Sequence, residues 1–172
     1  MDLYKAKITT PYQYPFDVLF DPYSSISDLQ QIINHDDSDP RVKILACNRL
    51  NQAGHKTATQ DLLAVIVEVG LDNGLDVLAS FQNGTARYIN HTGKVLVWET
   101  STDQNGNELT DALFQNGEAV IAKIGPWDKP RRPHPAKGIA RISFLVSDGL
   151  YFGEGPMNVL FNDPMASAAL NS

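Results

Sequence analysis

The chain has 172 residues, 42% apolar and 20% charged, with a formal net charge of −6. That length suits a single domain, 1–172, burying ~70% of its unfolded surface without disulfides or metals. An acidic chain is a poor polyanion binder, so nucleic acid as the main partner is disfavoured.

Residues 1–23 are rich in Tyr, Phe and Pro, with Pro11, Tyr12, Tyr14, Pro15, Phe16, Phe20, Pro22 and Tyr23 close together. Prolines at that density oppose a helix and a central strand. The segment reads as an extended arm with apolar anchors, set against a globular body at 24–172. The anchors either lie on the arm's own core or reach a neighbouring subunit.

Two helices follow. Ser25 begins the first, with Asp28 completing a capping box and Ile26, Leu29, Ile32 and Ile33 forming its apolar stripe. Asp39-Pro40 begins the second. The Asp caps free amides, and Pro occupies the first helical position, where its missing N–H costs nothing. Val42, Leu45, Ala46, Leu50 and Ala53 form the buried stripe, and Gly54 ends it.

Residues 62–100 read as a four-stranded antiparallel meander. Its turns are Asp72-Asn73-Gly74, Gln82-Asn83-Gly84 and Asn90-His91-Thr92-Gly93. With Asn73-Gly74 and Asn83-Gly84 as two-residue turns, Ile66 faces Phe81, Val69 faces Leu78, Ala79 faces Tyr88 and Leu78 faces Ile89. A three-residue turn with Gly93 left-handed sets Tyr88 opposite Leu96 and Ala86 opposite Trp98. Opposed residues share a face. One face, expected to be core, then carries Ile66, Ala79, Phe81, Ala86, Tyr88, Leu96 and Trp98. The other carries Val67, Val69, Leu78, Ile89 and Val95, with Arg87 towards one end.

A helix is expected at about 108–124, with Leu109, Leu113, Val120, Ile121 and Ile124 on one side. Gly117 is a weak point costing ~1 kcal/mol relative to Ala. Gly125-Pro126 stops it. Ala140, Ile142, Phe144 and Val146 then alternate with Arg141, Ser143, Leu145 and Ser147, which predicts a strand with one buried face. Asp148-Gly149 turns it into a partner at 150–152. This second sheet segment belongs beside one end of the meander. Short helical pieces end the chain, one begun by Asp163-Pro164.

The fold class is α+β: an antiparallel sheet of about six strands, a meander plus a hairpin, with helices packed mainly on one face. The element order resembles the profilin-like and roadblock/longin arrangements at fold level, with four strands before the middle helix where roadblock has two. It implies no activity.

Catalytic and cofactor signatures are scarce. His35, His55, His91 and His134 are scattered, and no Cys-x-x-Cys occurs. The run His35-Asp36-Asp37-Ser38-Asp39 lacks the glycine and distal glutamate of a calcium loop. The stretch 147–156 is dense in glycine but matches neither a dinucleotide fingerprint nor a P-loop. Cys47 falls mid-helix, away from a helix N-terminus that would lower its pKa, and reads as a buried structural thiol. No cofactor or metal is expected.

Residues 126–138 cannot be regular structure. They bring Lys129, Arg131, Arg132, His134 and Lys137 together with Trp127 and four prolines. Proline stiffening lowers the entropy lost on binding, and Arg and Trp carry interface energy. Trp127, Lys129, Arg131, Arg132 and His134, with Tyr12, Tyr14 and Phe16 of the arm, are therefore the interaction candidates. The competing reading has Trp127 plugging the sheet edge while the arginines pair with local carboxylates. Arg87 and Arg141, each inside a strand, are candidate edge charges that block aggregation.

The lone cysteine fits a reducing compartment. Residues 1–5 show no signal peptide, and the longest apolar run, 62–67, is too short to cross a bilayer. The expectation is a cytoplasmic, non-enzymatic interaction or assembly module with a protein partner, a homo-oligomer or a subunit of a larger complex. The alternative is a small-ligand binder or enzyme with a pocket between sheet and helices.

Overall fold

The computed structural model describes residues 8, 10–99, 104–160 and 162, with the backbone alone at 104–107. The Asp163-Pro164 helix start lies outside the described residues. The described helices are α1 (Phe16–Phe20), α2 (Ile26–Asn34), α3 (Pro40–Gln52), α4 (Gln104–Ile121) and α5 (Met157–Leu160). The strands are β1 (Leu62–Leu71), β2 (Gly74–Phe81), β3 (Ala86–Ile89), β4 (Val95–Trp98), β5 (Ile139–Val146) and β6 (Gly149–Pro156). They form one antiparallel sheet in the order β4-β3-β2-β1-β5-β6. The α+β class and the six strands are as expected. The second segment joins the meander at β1, which becomes a central strand.

The arm differs from the extended reading. Its residues 16–20 form α1, because Pro15 precedes the helix and needs no N–H there, while Pro22 lies beyond its end. Leu19 and Phe20 are buried with Leu29, Ile32, Ala46 and Leu50, and Ile8, Tyr12, Phe16 and Val18 pack against them. Arg49 Nη1 donates to the carbonyls of Val18 (2.8 Å) and Leu19 (2.9 Å), tying α1 to α3. The predicted caps form: Ser25 and Asp28 make a capping box, and the Asp39 side chain accepts from Arg41 N.

The turns explain the register. The first loop is Asp72-Asn73, with Leu71 opposite Gly74, so Ile66 faces Ala79 and Ala64 faces Phe81. Gly74 follows the loop instead of sitting in it. The partner slips by two residues, which leaves every side chain on its expected face. The second loop has three residues, 82–84. Phe81 N donates to Thr85 O, Gly84 N donates to Phe81 O, and Gly84 is left-handed at φ +80°. Leu78 therefore faces Tyr88, and Ala79 faces Arg87. That one-residue change moves all of β3 and β4 to the opposite side from the one expected. The third turn is as expected, with Tyr88 opposite Leu96 and Ala86 opposite Trp98.

One sheet face thus carries Val65, Val67, Leu78, Tyr88, Leu96, Trp98, Ile142, Phe144 and Tyr151. α4 packs on its β1–β5 part, where Leu113, Phe114 and Ile121 join Leu62, Val65, Ile142, Phe144, Val146 and Tyr151. The other face carries Ala64, Ile66, Glu68, Gly70, Ala79, Phe81, Arg141, Ser143 and Phe152. There the Arg41 guanidinium of α3 lies 5.6 Å from the Phe81 ring centroid. Helices therefore meet both faces. Trp98 and Leu96 are half-exposed rather than core, because β3 and β4 extend past the cluster that α4 covers.

Candidate functional site

The proline-rich segment 126–138 crosses the sheet on the Glu68 face. Trp127 N donates to Leu150 O (2.7 Å), the Trp127 ring meets Phe152 edge-on at 4.8 Å, and Gly138 N donates to Gly70 O (3.0 Å). Both faces of β5 are consequently buried, not one. Close passage requires Gly70, since a Cβ there would lie 2.1 Å from Ala136 O.

Beneath this segment lies a row of charges. Glu68, Arg141 and Glu154 stand side by side on β1, β5 and β6. Arg141 is 2% exposed and Glu68 6%. Arg141 Nε donates to Glu154 Oε2 (2.7 Å), its Nη2 also reaches that oxygen, and its Nη1 lies 3.5 Å from Glu68 Oε2. Its Nη2 donates to Pro133 O (2.5 Å), so this buried cation also holds the segment down. Arg131 Nη2 donates to Glu68 Oε1 (3.1 Å), and Arg132 Nη1 to Glu154 Oε1 (3.4 Å). Arg132 and Lys129 lie over the Trp127 ring at 5.4 and 5.7 Å. Lys137 Nζ pairs with Asp72 at 2.6 Å, and His134 Nδ1 lies 3.2 Å from Pro135 O.

Trp127, Lys129, Arg131 and Arg132 are thus gathered in one place, with Trp127 against the β6 edge and both arginines on internal carboxylates. Tyr12 and Phe16 of the arm pack on Phe20 and on the helical cluster, while Tyr14 is exposed. Neither Arg87 nor Arg141 is an edge charge. β3 and β5 are interior strands, and each guanidinium binds carbonyls and a carboxylate within the fold.

A different surface stands open. Among the described residues β4 is an edge strand with no partner on its outer side, and its four residues, Val95, Leu96, Val97 and Trp98, are each 51–55% exposed. Leu78 and Ile89 extend the patch. Sequence reasoning placed Leu96 and Trp98 in the core; the second turn's length puts them on the other face, but β4 is exposed on both faces because it lies past the cluster that α4 covers. Polar ties hold this apolar hairpin at both ends. Asp76 on β2 accepts from Tyr88 Oη (2.7 Å) and from His91 N (2.8 Å), and His91 Nδ1 lies 3.2 Å from Asp76 Oδ1. The tyrosine hydroxyl, and then the His91 amide, hold the Asp76 carboxyl below its usual range. At the far end Arg87 donates to Trp98 O (2.9 Å) and Glu99 Oε1 (2.6 Å).

A cleft of about 230 Å³ lies between α3 and the sheet, bordered by Ile44, Cys47, Asn48, Asn51, Arg131 and Leu145. Burial pushes the Cys47 thiol up to about 11, so at neutral pH it is a protonated, unreactive thiol. Among the described residues, no three of His, Cys, Asp and Glu converge as a metal site, and no helix is long and apolar enough to cross a membrane.

Comparison of the chain with protein-family models, curated proteins and solved structures finds no match.

Proposed function

We propose that the protein is a non-enzymatic interaction or assembly module that works in a reducing, cytoplasmic setting and engages another protein chain through the β3–β4 end of its sheet. The observation that carries this reading is β4 itself: four consecutive apolar residues, half-exposed, on an edge that is unpaired among the described residues. Soluble proteins protect such edges with charges, prolines, bulges or a covering segment. The opposite edge is protected in that way, for β6 contains Glu154 and ends in Pro156, and Trp127 N bonds its Leu150 carbonyl. β4 has no such device within its four residues. Arg87 holds its Trp98 carbonyl, and Asp76 holds the neighbouring Tyr88 and His91, so the hairpin is ordered before any partner arrives, which lowers the entropy cost of binding.

The basic segment 126–138 serves this reading less well, because its arginines already meet Glu68 and Glu154. A ligand or enzyme pocket has the cleft beside Cys47 in its favour, but no acid–base pair lines it.

The test is native size in a cell extract, comparing wild type with Val97→Lys. Val97 is half-exposed, so the substitution puts a charge on the edge without entering a core. Wild type is expected in a species larger than 18.9 kDa, and the variant at the monomer position. Monomeric elution of both overturns the reading.

A further inference from the structure

Resting on that reading, we infer that the partner of β4 is β4 of a second copy, paired antiparallel about a two-fold axis at Leu96 so that the two sheets become one. Backbone, side-chain and charge patterns each favour this occupant.

The backbone sets which groups face outward. Asn90 N donates to Lys94 O, which makes that pair hydrogen-bonded. Bonded and non-bonded pairs alternate along an antiparallel ladder. Tyr88–Leu96 and Ala86–Trp98 are then bonded pairs, while Ile89–Val95 and Arg87–Val97 are not. The N–H and C=O groups of Val95 and Val97 therefore point away from β3, towards the open edge. A two-fold axis normal to the sheet leaves side chains on their own face, so a residue pairs only with one of the same face. With Leu96 on the axis, Val95 of each copy meets Val97 of the other and exchanges both backbone bonds.

The side chains then match. Leu96 meets Leu96, valine meets valine, and Lys94 comes opposite Trp98 of the second copy on the same face. An ammonium beside an indole face is a favourable contact, and it occurs at both ends. The flanking charges select the direction. Lys94 precedes the apolar run, and Glu99, with its side chain 66% exposed, follows it. An antiparallel copy sets the lysine end against the glutamate end, whereas a parallel copy sets like ends together.

The experiment uses the full-length purified protein. Light scattering across a dilution series is expected to show a dimer for wild type and a monomer for Val97→Lys, with circular dichroism unchanged between them. Leu96→Cys is expected to form a covalent dimer on mild oxidation and Val97→Cys to form none, since only position 96 meets itself. The native Cys47 is 2% exposed and stays out of the reaction. A wild-type monomer at every concentration overturns the inference. So does a dimer that survives Val97→Lys, or one that cross-links through position 97 and not 96. A purified monomer that still enters a larger, Val97-dependent species in extract overturns the second copy alone and leaves the interaction reading standing.

Discussion

Arg141 lies directly across the β1–β5 ladder from Glu68, and both are almost fully buried. A charge out of water is stable only when paired, so buried Glu68 and Arg141 depend on each other, while the more exposed Glu154 also pairs with Arg132. Arg141→Ala leaves Glu68 and Glu154 facing each other with only half-exposed Arg131 and Arg132 nearby. Urea denaturation should show a loss of about 3–5 kcal/mol. Arg131→Ala, whose side chain is 62% exposed, should cost less than about 1 kcal/mol. Equal losses in the two variants would mean that the buried row is not what holds segment 126–138.

Asp76 gives the exposed hairpin an acid-sensitive tie. Its carboxyl is held below 3.8 by the Tyr88 hydroxyl first and the His91 amide second. A depressed carboxylate stabilises the fold above its unfolded pKa, and the contribution is lost as pH falls through the folded value. Stability should therefore hold from neutral pH down to about pH 4 and decline below it. Asp76→Asn should weaken that decline, and amide exchange in 86–98 should rise in the variant at neutral pH. Unchanged exchange there would mean that the tie does not order the hairpin.

Cys47 offers a check on the packing of α3. With its thiol pushed up to about 11 by burial, it should resist an aromatic disulfide reagent at pH 8 in the native state and react stoichiometrically in urea. Rapid native labelling would show that the cleft beside α3 opens to solvent.

Local codes were legible and long-range ones were not. Ser25, Asp28, Asp39 and Pro40 act within one turn of chain, so their caps were readable. The hairpins were readable too, but Gly84 illustrates the limit. An Asn-Gly pair suits both a two-residue turn and a three-residue loop ending in a left-handed glycine, and the two choices place Tyr88 and Trp98 on opposite faces. The charges now facing Arg131, Arg132 and Arg141 come from β1 and β6. Glu154 meets Arg141 across the local β5–β6 hairpin, but Glu68 comes from β1, and only the docking of β5 against β1 brings it there, which no local pattern encodes.

Gly117 shows the same limit in a helix. Read locally, it is a weak point that Ala would improve by ~1 kcal/mol. In the fold it is buried, and a Cβ would sit 2.8 Å from Leu62 Cδ2 and 3.3 Å from Phe144 Cε1. Gly117→Ala should therefore lower the melting temperature instead of raising it. A rise would mean that Leu62 swings aside without loss, leaving helix propensity in command.

Gly70 is the more stringent case, because what it meets is backbone. A Cβ there would lie 2.1 Å from Ala136 O and 2.5 Å from Pro135 O. No rotamer change relieves that contact, so either β1 bends or segment 126–138 lifts. Lifting breaks the bond from Gly138 N to Gly70 O and draws Trp127 off Phe152. Gly70→Ala should cost about 2–3 kcal/mol, at the upper end of overpacking penalties. In a Trp98→Phe background, which leaves Trp127 as the lone indole, its emission should shift to the red. Gly153→Ala on β6, where nothing lies within 4 Å of the added carbon, should leave stability nearly unchanged. A Gly70→Ala protein with wild-type stability and emission would show that segment 126–138 sits on the sheet loosely enough to yield without loss.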